Sequence, residues 1–463
     1  MRLHALRHTR PLLVTLGLLL GAVAGTGAGS LAGSAAVQPD LPATAVLDAT
    51  HLPPLLTLPG EHPELAYEVH CAAGASTSGE DRCLARGTVF ARPVGDDGFT
   101  AIPLAPRTTN GILQLASAVP DALASHPSGF EYYAVIEAPD VDRSVVLPAG
   151  GADAPHVSRR LRAPVEIELG LHRFGRSSPP FARVASAGWG SGTTEVGLEG
   201  GRGASPVGAS AFDVDPAGSV FLLDQAHRRV LRWDRGRRTP ARVPVSVSGT
   251  IADLAASADG TLYILESVPQ RGRNPLVRRY DEGGRELEAI ETAERGASQI
   301  RRSPGGPLVL SQPSHHWTPV ELDGGPASPA EQLRHGRSER TVPGGSEVVV
   351  YRNGSELRAA IVSGTAVTRS WRVTSQTPLG EVQLAEPRGQ RLVIVLRVYE
   401  ESSAEFVVLV LRREGLVQRF ALEASDWAET APLGRFKLVG RSLYRLGSTP
   451  AGAFVDRFDL EVQ

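Results

Sequence analysis

FDVDPAGSVFLLD, residues 212–224, and LAASADGTLYILE, residues 254–266, are one motif written twice. Gly218 and Gly260 hold the same place in each copy, 42 residues apart, and a short apolar run follows each: Val220 to Leu223, then Leu262 to Leu265. Behind each run comes a second shared phrase, RVLRWDRGR at 229–237 and LVRRYDEGGR at 276–285, in which Trp233 matches Tyr280 and Asp234 matches Asp281. Weaker copies start from Gly306, Gly354, Gly389 and Gly440, each ahead of an apolar run. Tight turns that force positive φ favour glycine because no Cβ obstructs them. Repeats of this length built from several short strands predict the blades of a β-propeller. Six copies fit between about 206 and 463.

The first copy resembles an NHL repeat. Residues 203–234 read GASPVGASAFDVDPAGSVFLLDQAHRRVLRWD, and Pro206, Gly208, Val214, Asp215, Gly218, Asp224, Arg229, Val230 and Asp234 match the pattern. The Asn that usually precedes the exit strand is absent; His227 or Arg228 stands near its place. The second copy lacks the Pro-x-Gly start, and the other four keep only spacing and strand pattern. The resemblance implies that Asp224 and Arg229 join neighbouring blades.

The chain of 463 residues exceeds what a six-bladed propeller uses, leaving room for one small domain. Basic and acidic residues nearly balance, 48 against 50, so net charge gives no reason to expect nucleic acid. Lys437 is the only lysine. Abundant Ala, Gly, Pro and Arg suggest a GC-rich bacterial source.

Residues 1–36 read as a signal peptide. Arg2, Arg7 and Arg10 precede an apolar stretch from Leu12 to Val23, and small residues offer cleavage after Ala24 or Ala36. The expectation is a secreted or cell-envelope protein, with membrane attachment only if this segment is retained. Cys71 and Cys83 are the only cysteines, and an oxidising compartment favours a disulfide between them over a metal or redox pair.

Residues 37–63 are Pro-rich and read as a linker. Residues 64–160 carry six strand-like runs: Leu65–Cys71, Leu84–Arg92, Phe99–Leu104, Ile112–Ala118, Glu131–Ala138 and Ser144–Leu147. They predict a small β-sandwich. Residues 129–138, GFEYYAVIEA, resemble the penultimate strand of fibronectin type III and related immunoglobulin-like domains. The fold class is thus all-β, a small sandwich followed by a six-bladed propeller over 163–463. The last copy lacks a strand, and Arg183 to Trp189 is expected to supply it as the outer strand that closes the ring.

Catalytic motifs are scarce. No nucleophile elbow, His-Glu-x-x-His, phosphate loop or spaced Cys/His cluster occurs. His315, His316 and His335 read as a polar loop before a metal site, and Asp213, Asp215, Asp253 and Asp259 as turn and strand-end residues before calcium ligands. The arginine runs 228–229, 235–238 and 271–279 suit either solvated strand edges or an acidic polymer. No catalytic, cofactor or metal residue is therefore assigned. The favoured reading is an exported binding or scaffold protein whose propeller face meets a protein, peptide or glycan. The alternative is a propeller enzyme of lactonase or metal-dependent lyase type, which needs converging acids or histidines at the ring centre.

Overall fold

Alternating apolar residues in Phe130–Ala138 turn every second side chain inward, and that strand is the spine of the N-terminal part. The structure, a computed structural model, describes residues 46–460 apart from 73–83, 149, 201–204, 248–251, 267–273, 293–296, 304–305, 312–315, 321–345 and 430–433. The proposed signal peptide, Cys83, His315 and His335 lie outside the described residues.

Among the described residues nine strands make the first part: β1 (Val46–His51), β2 (Leu56–Thr57), β3 (Glu64–Ala72), β4 (Arg86–Pro93), β5 (Thr100–Thr109), β6 (Ile112–Ala118), β7 (Phe130–Ala138), β8 (Arg143–Leu147) and β9 (His156–Arg160). They pair in the order β1-β3-β6-β5-β4-β7-β9-β2, with β8 also on β7. β5 pairs β4 through its first half and β6 through its second. The six expected runs are all strands. Within the expected linker 37–63, residues 37–45 lie outside the described residues, and the described part holds strands: β1 pairs the whole of Val46–His51 with β3, and β2 pairs β9. Prolines between short strands do not prevent pairing; they punctuate it.

β1 also carries His51 into the core. Its ring stacks on Tyr67 at 4.3 Å, its Nδ1 donates to the Ala66 carbonyl (2.8 Å), and Nε2 receives the Tyr132 hydroxyl (2.7 Å). This is the neutral tautomer, and burial pulls the imidazole pKa down to about 4.

Two strands follow, β10 (Val165–Glu168) and β11 (Ala182–Gly188), and then the repeats. The first gives β12 (Ala211–Val214), β13 (Val220–Asp224), β14 (Arg229–Trp233) and β15 (Ala241–Pro244). The second gives β16 (Ala252–Ala256), β17 (Leu262–Glu266), β18 (Leu276–Tyr280) and β19 (Glu286–Glu291). The third shows β20 (Ala297–Ser303), β21 (Gly306–Ser311) and β22 (His316–Pro319). The fourth has β23 (Ser346–Asn353), β24 (Glu356–Ser363) and β25 (Ala366–Thr374). The fifth has β26 (Leu379–Arg388), β27 (Arg391–Glu400), β28 (Ser403–Arg412) and β29 (Gly415–Glu423). The sixth has β30 (Phe436–Val439), β31 (Ser442–Thr449) and β32 (Gly452–Asp459).

Each repeat is its own antiparallel meander, and each repeat glycine falls between its first two strands or opens the second. Gly218 and Gly260 have φ of +90° and +84°, the region the turn requires. First strands lie side by side: β12 with β16, β16 with β20, β23 with β26, β26 with β30, and β30 with β12. This is the plan of a β-propeller.

Two sheets borrow a strand from the segment ahead of the ring. β11 pairs antiparallel with β32, at the edge farthest from β30, as the missing strand of the last copy required. β10 pairs parallel with β25, a completion the sequence pattern did not suggest. The N-terminal part meets the fourth sheet along a seam. Leu56 and Leu161 pack on Ala360 and Val362, and buried Arg358 on β24 donates to the Leu56 carbonyl and to both carboxylate oxygens of Glu61.

Candidate binding face of the propeller

Ion pairs cross the ring centre. Asp213 on β12 accepts the Ala256 N–H of the next sheet (2.8 Å), and Asp253 on β16 accepts the Ile300 N–H of the sheet after it (2.9 Å). Each carboxylate therefore fastens one inner strand to its neighbour. Lys437 on β30 reaches Asp253 at 3.2 Å, and Arg302 on β20 approaches Asp213 at 3.9 Å. Arg301 pairs with Glu386 on β26 at 2.7 Å. These pairs join sheets that are not adjacent, so they bridge the ring. Burial pushes the Asp253 carboxyl up, against the opposing pull of Lys437 and two backbone N–H groups. The inner acids are thus committed to cations and amides.

Asp215 and Asp259 serve their turns: Asp215 accepts the Ser219 N–H (2.8 Å) and Asp259 the Thr261 N–H (3.0 Å). The Thr261 amide holds the Asp259 carboxyl below its ordinary value. No group of His, Cys, Asp or Glu suited to a metal occurs among the described residues, and His316 opens β22.

The arginine runs part company. Arg229 donates to Asp224 (2.8 Å) and to the Gly192 and Glu195 carbonyls, while Asp224 also accepts the Gly197 N–H. The pair ties the first sheet to the loop that follows the closing strand β11. Arg278 is held between Glu266 and Glu286, both at 2.9 Å. Arg235, Arg237 and Arg238 stay exposed on the β14–β15 turn.

That turn borders a cleft of about 940 Å³ between the first and last sheets. The 215–218 turn and Val439-Gly440 line it too, with Arg183, Arg457 and Tyr444 along one side. Arg183 is fixed by two bonds to Asp456 and lies over the Phe454 ring at 3.8 Å. Trp233 forms part of the wall; its Nε1 is buried and has no acceptor among the described residues. An unpaired buried donor costs about 1–3 kcal/mol. The sequence flagged 235–238 but not the cleft, because Arg183, Trp233 and Arg457 converge only when the ring closes.

No family model matches the chain, and no curated protein matches it in sequence. Several solved structures are distantly similar. Virginiamycin B lyase from Staphylococcus aureus is 9% identical, covering 54% of this chain and 95% of its own, with a TM-score of 0.32. The PQQ-bound aldose sugar dehydrogenase of Streptomyces coelicolor is 12% identical over 60% of this chain and 97% of its own, TM-score 0.35. YCF48 bound to D1 peptide is 12% identical over 55% and 79%, TM-score 0.31. Similarity this distant says nothing of chemistry, and the propeller rests on the sheet pairing described above.

Proposed function

We propose that the chain is an exported, non-enzymatic binding or scaffold protein. In this reading a fibronectin type III-like sandwich precedes a six-bladed, NHL-like propeller, whose turn face meets a protein, peptide or glycan carrying negative charge. Six meanders of matching layout support the blade count, and the strand sets β1-β3-β6 and β5-β4-β7-β8 support the sandwich. A disulfide joining Cys71 to Cys83 belongs to the same reading. The observation that carries the function is the contrast between centre and face. Inner acids are spent on cations and amides, whereas Arg235, Arg237 and Arg238 border an open cleft with no carboxylate bonded to them among the described residues. Guanidinium groups suit carboxylates, sulfates and phosphates through paired N–H donors.

The test is a binding titration of acidic peptides and anionic oligosaccharides against the wild-type chain and R235E/R237E/R238E. At least one probe is expected to bind in a salt-sensitive way and to lose about tenfold or more in the variant. Equal behaviour of the two proteins toward every probe refutes the reading.

A further inference from the structure

A second basic site lies at the seam, apart from the cleft. Strand β25 is longer than its outer partner. The parallel ladder with β10 begins at Val165 opposite Trp371 and runs on to Glu168 opposite Thr374. Before Trp371, residues Ala366 to Ser370 pair only with β24, and their other edge has no backbone partner among the described residues. Five residues of strand present an edge of about 17 Å.

A groove of about 590 Å³ lies at this edge, lined by residues 365–371 and by Pro127, Ser128 and Arg160 of the N-terminal part. Four arginines line it, Arg160, Arg162, Arg369 and Arg413, and no acid does. Arg160 donates through Nη1 to the Ser125 carbonyl, and Arg369 through Nη1 to the Gln390 carbonyl, which sets their direction while leaving other N–H groups unused. Arg162 and Arg413 are exposed and have no bonded partner among the described residues.

We propose that this groove binds an acidic peptide in extended conformation, by strand addition to the open edge of β25. The two halves of the site select different features of the ligand. Unpaired backbone N–H and C=O groups are matched by another peptide backbone, which a sugar chain does not offer. The arginines select carboxylate side chains on alternate residues, those facing the groove walls. Charged residues also guard open strand edges against aggregation, and that role alone predicts no ligand.

The experiment uses the full chain and a fluorescein-labelled peptide that alternates glutamate with valine and threonine. Three comparisons run beside it: the same peptide N-methylated on alternate amides, a lysine-for-glutamate version, and oligogalacturonate as competitor. Anisotropy is expected to rise with the acidic peptide only. R162E/R413E weakens it about tenfold or more, as two attractions become repulsions. R235E/R237E/R238E still binds this peptide, and adding R162E/R413E to it weakens that binding by the same factor, which separates this site from the propeller face. No binding of the acidic peptide overturns the proposal and leaves the arginines as edge guards. Equal binding of the N-methylated peptide, or full displacement by oligogalacturonate, overturns strand addition in favour of a plain anion site. An R162E/R413E protein with unchanged thermal unfolding and unchanged binding overturns the location.

Discussion

Acid should loosen the N-terminal part through one residue. His51 is largely buried with its Nδ1 proton on the Ala66 carbonyl and its Nε2 occupied by the Tyr132 hydroxyl, so a second proton forces that hydroxyl to turn from donor to acceptor and leaves a charge among aromatic rings. Its folded pKa is about 4, against 6.5 for a free imidazole. The unfolded chain takes up the proton first, from pH 6.5 downward. The stability that neutral His51 contributes is therefore present above pH 6.5 and lost as pH falls toward 4. Linkage gives a loss of about 2 kcal/mol at pH 5 and about 3 kcal/mol at pH 4, relative to pH 7.5. His51→Gln keeps a donor and an acceptor but does not titrate. Hydrogen exchange of peptides from β3 and β7, corrected for intrinsic rates, should show the wild-type advantage over His51→Gln shrinking by these amounts. A difference that stays constant from pH 7.5 to 4 refutes the reasoning.

Other perturbations follow from single contacts. Lys437→Met leaves buried Asp253 with only N–H donors and should cost about 3 kcal/mol at pH 7. The raised Asp253 carboxyl then protonates more readily in the folded ring, so calorimetry should find the deficit shrinking as pH falls toward about 3.9, the unfolded value. Gly452→Ala drives a Cβ to within 2.1 Å of the Ala187 carbonyl oxygen on the closing strand, and should lower ring stability by about 1–3 kcal/mol; an unchanged melting temperature counts against it. Arg358→Met strips Glu61 and the Leu56 carbonyl of their partner and should cost about 2–3 kcal/mol, seen first as faster exchange in residues 55–61. Mass spectrometry of non-reduced peptides should find Cys71 linked to Cys83; two free thiols in exported protein refute the pairing.

Much of the ring is legible locally, because a glycine turn and an apolar run are properties of a few consecutive residues. The six repeat glycines all fall at the turn between, or at the start of, paired strands, and even the closing strand 183–189 could be placed by counting. Pairing between distant segments is less visible. β1 and β2 hide in a Pro-rich stretch because strands this short carry almost no periodicity, and β10 is a parallel edge whose partner stands far along the chain. The candidate face was half legible. Arginine runs show where charge is dense, but not which guanidinium groups meet a carboxylate. Arg229 and Arg278 are neutralised by acids on neighbouring strands, and nothing in the run 235–238 marks its guanidinium groups as ones with no carboxylate bonded among the described residues.

The borrowed strands also set the order of events during folding. Val165 must find Trp371, and Ala182 must find Arg457, across more than two hundred intervening residues. The sheet that takes β10 waits for Thr374 and the one that takes β11 waits for Asp459, so a chain emerging N-terminus first holds β10 and β11 in waiting. Long-range pairing of this kind slows folding, because much chain entropy is lost before the contact forms. Once made, the same joints work as locks: the outer edges of the fourth and the last sheets cannot fray without first parting a strand held from the far side of the sequence. Slow assembly and slow disassembly would then be two sides of one topology.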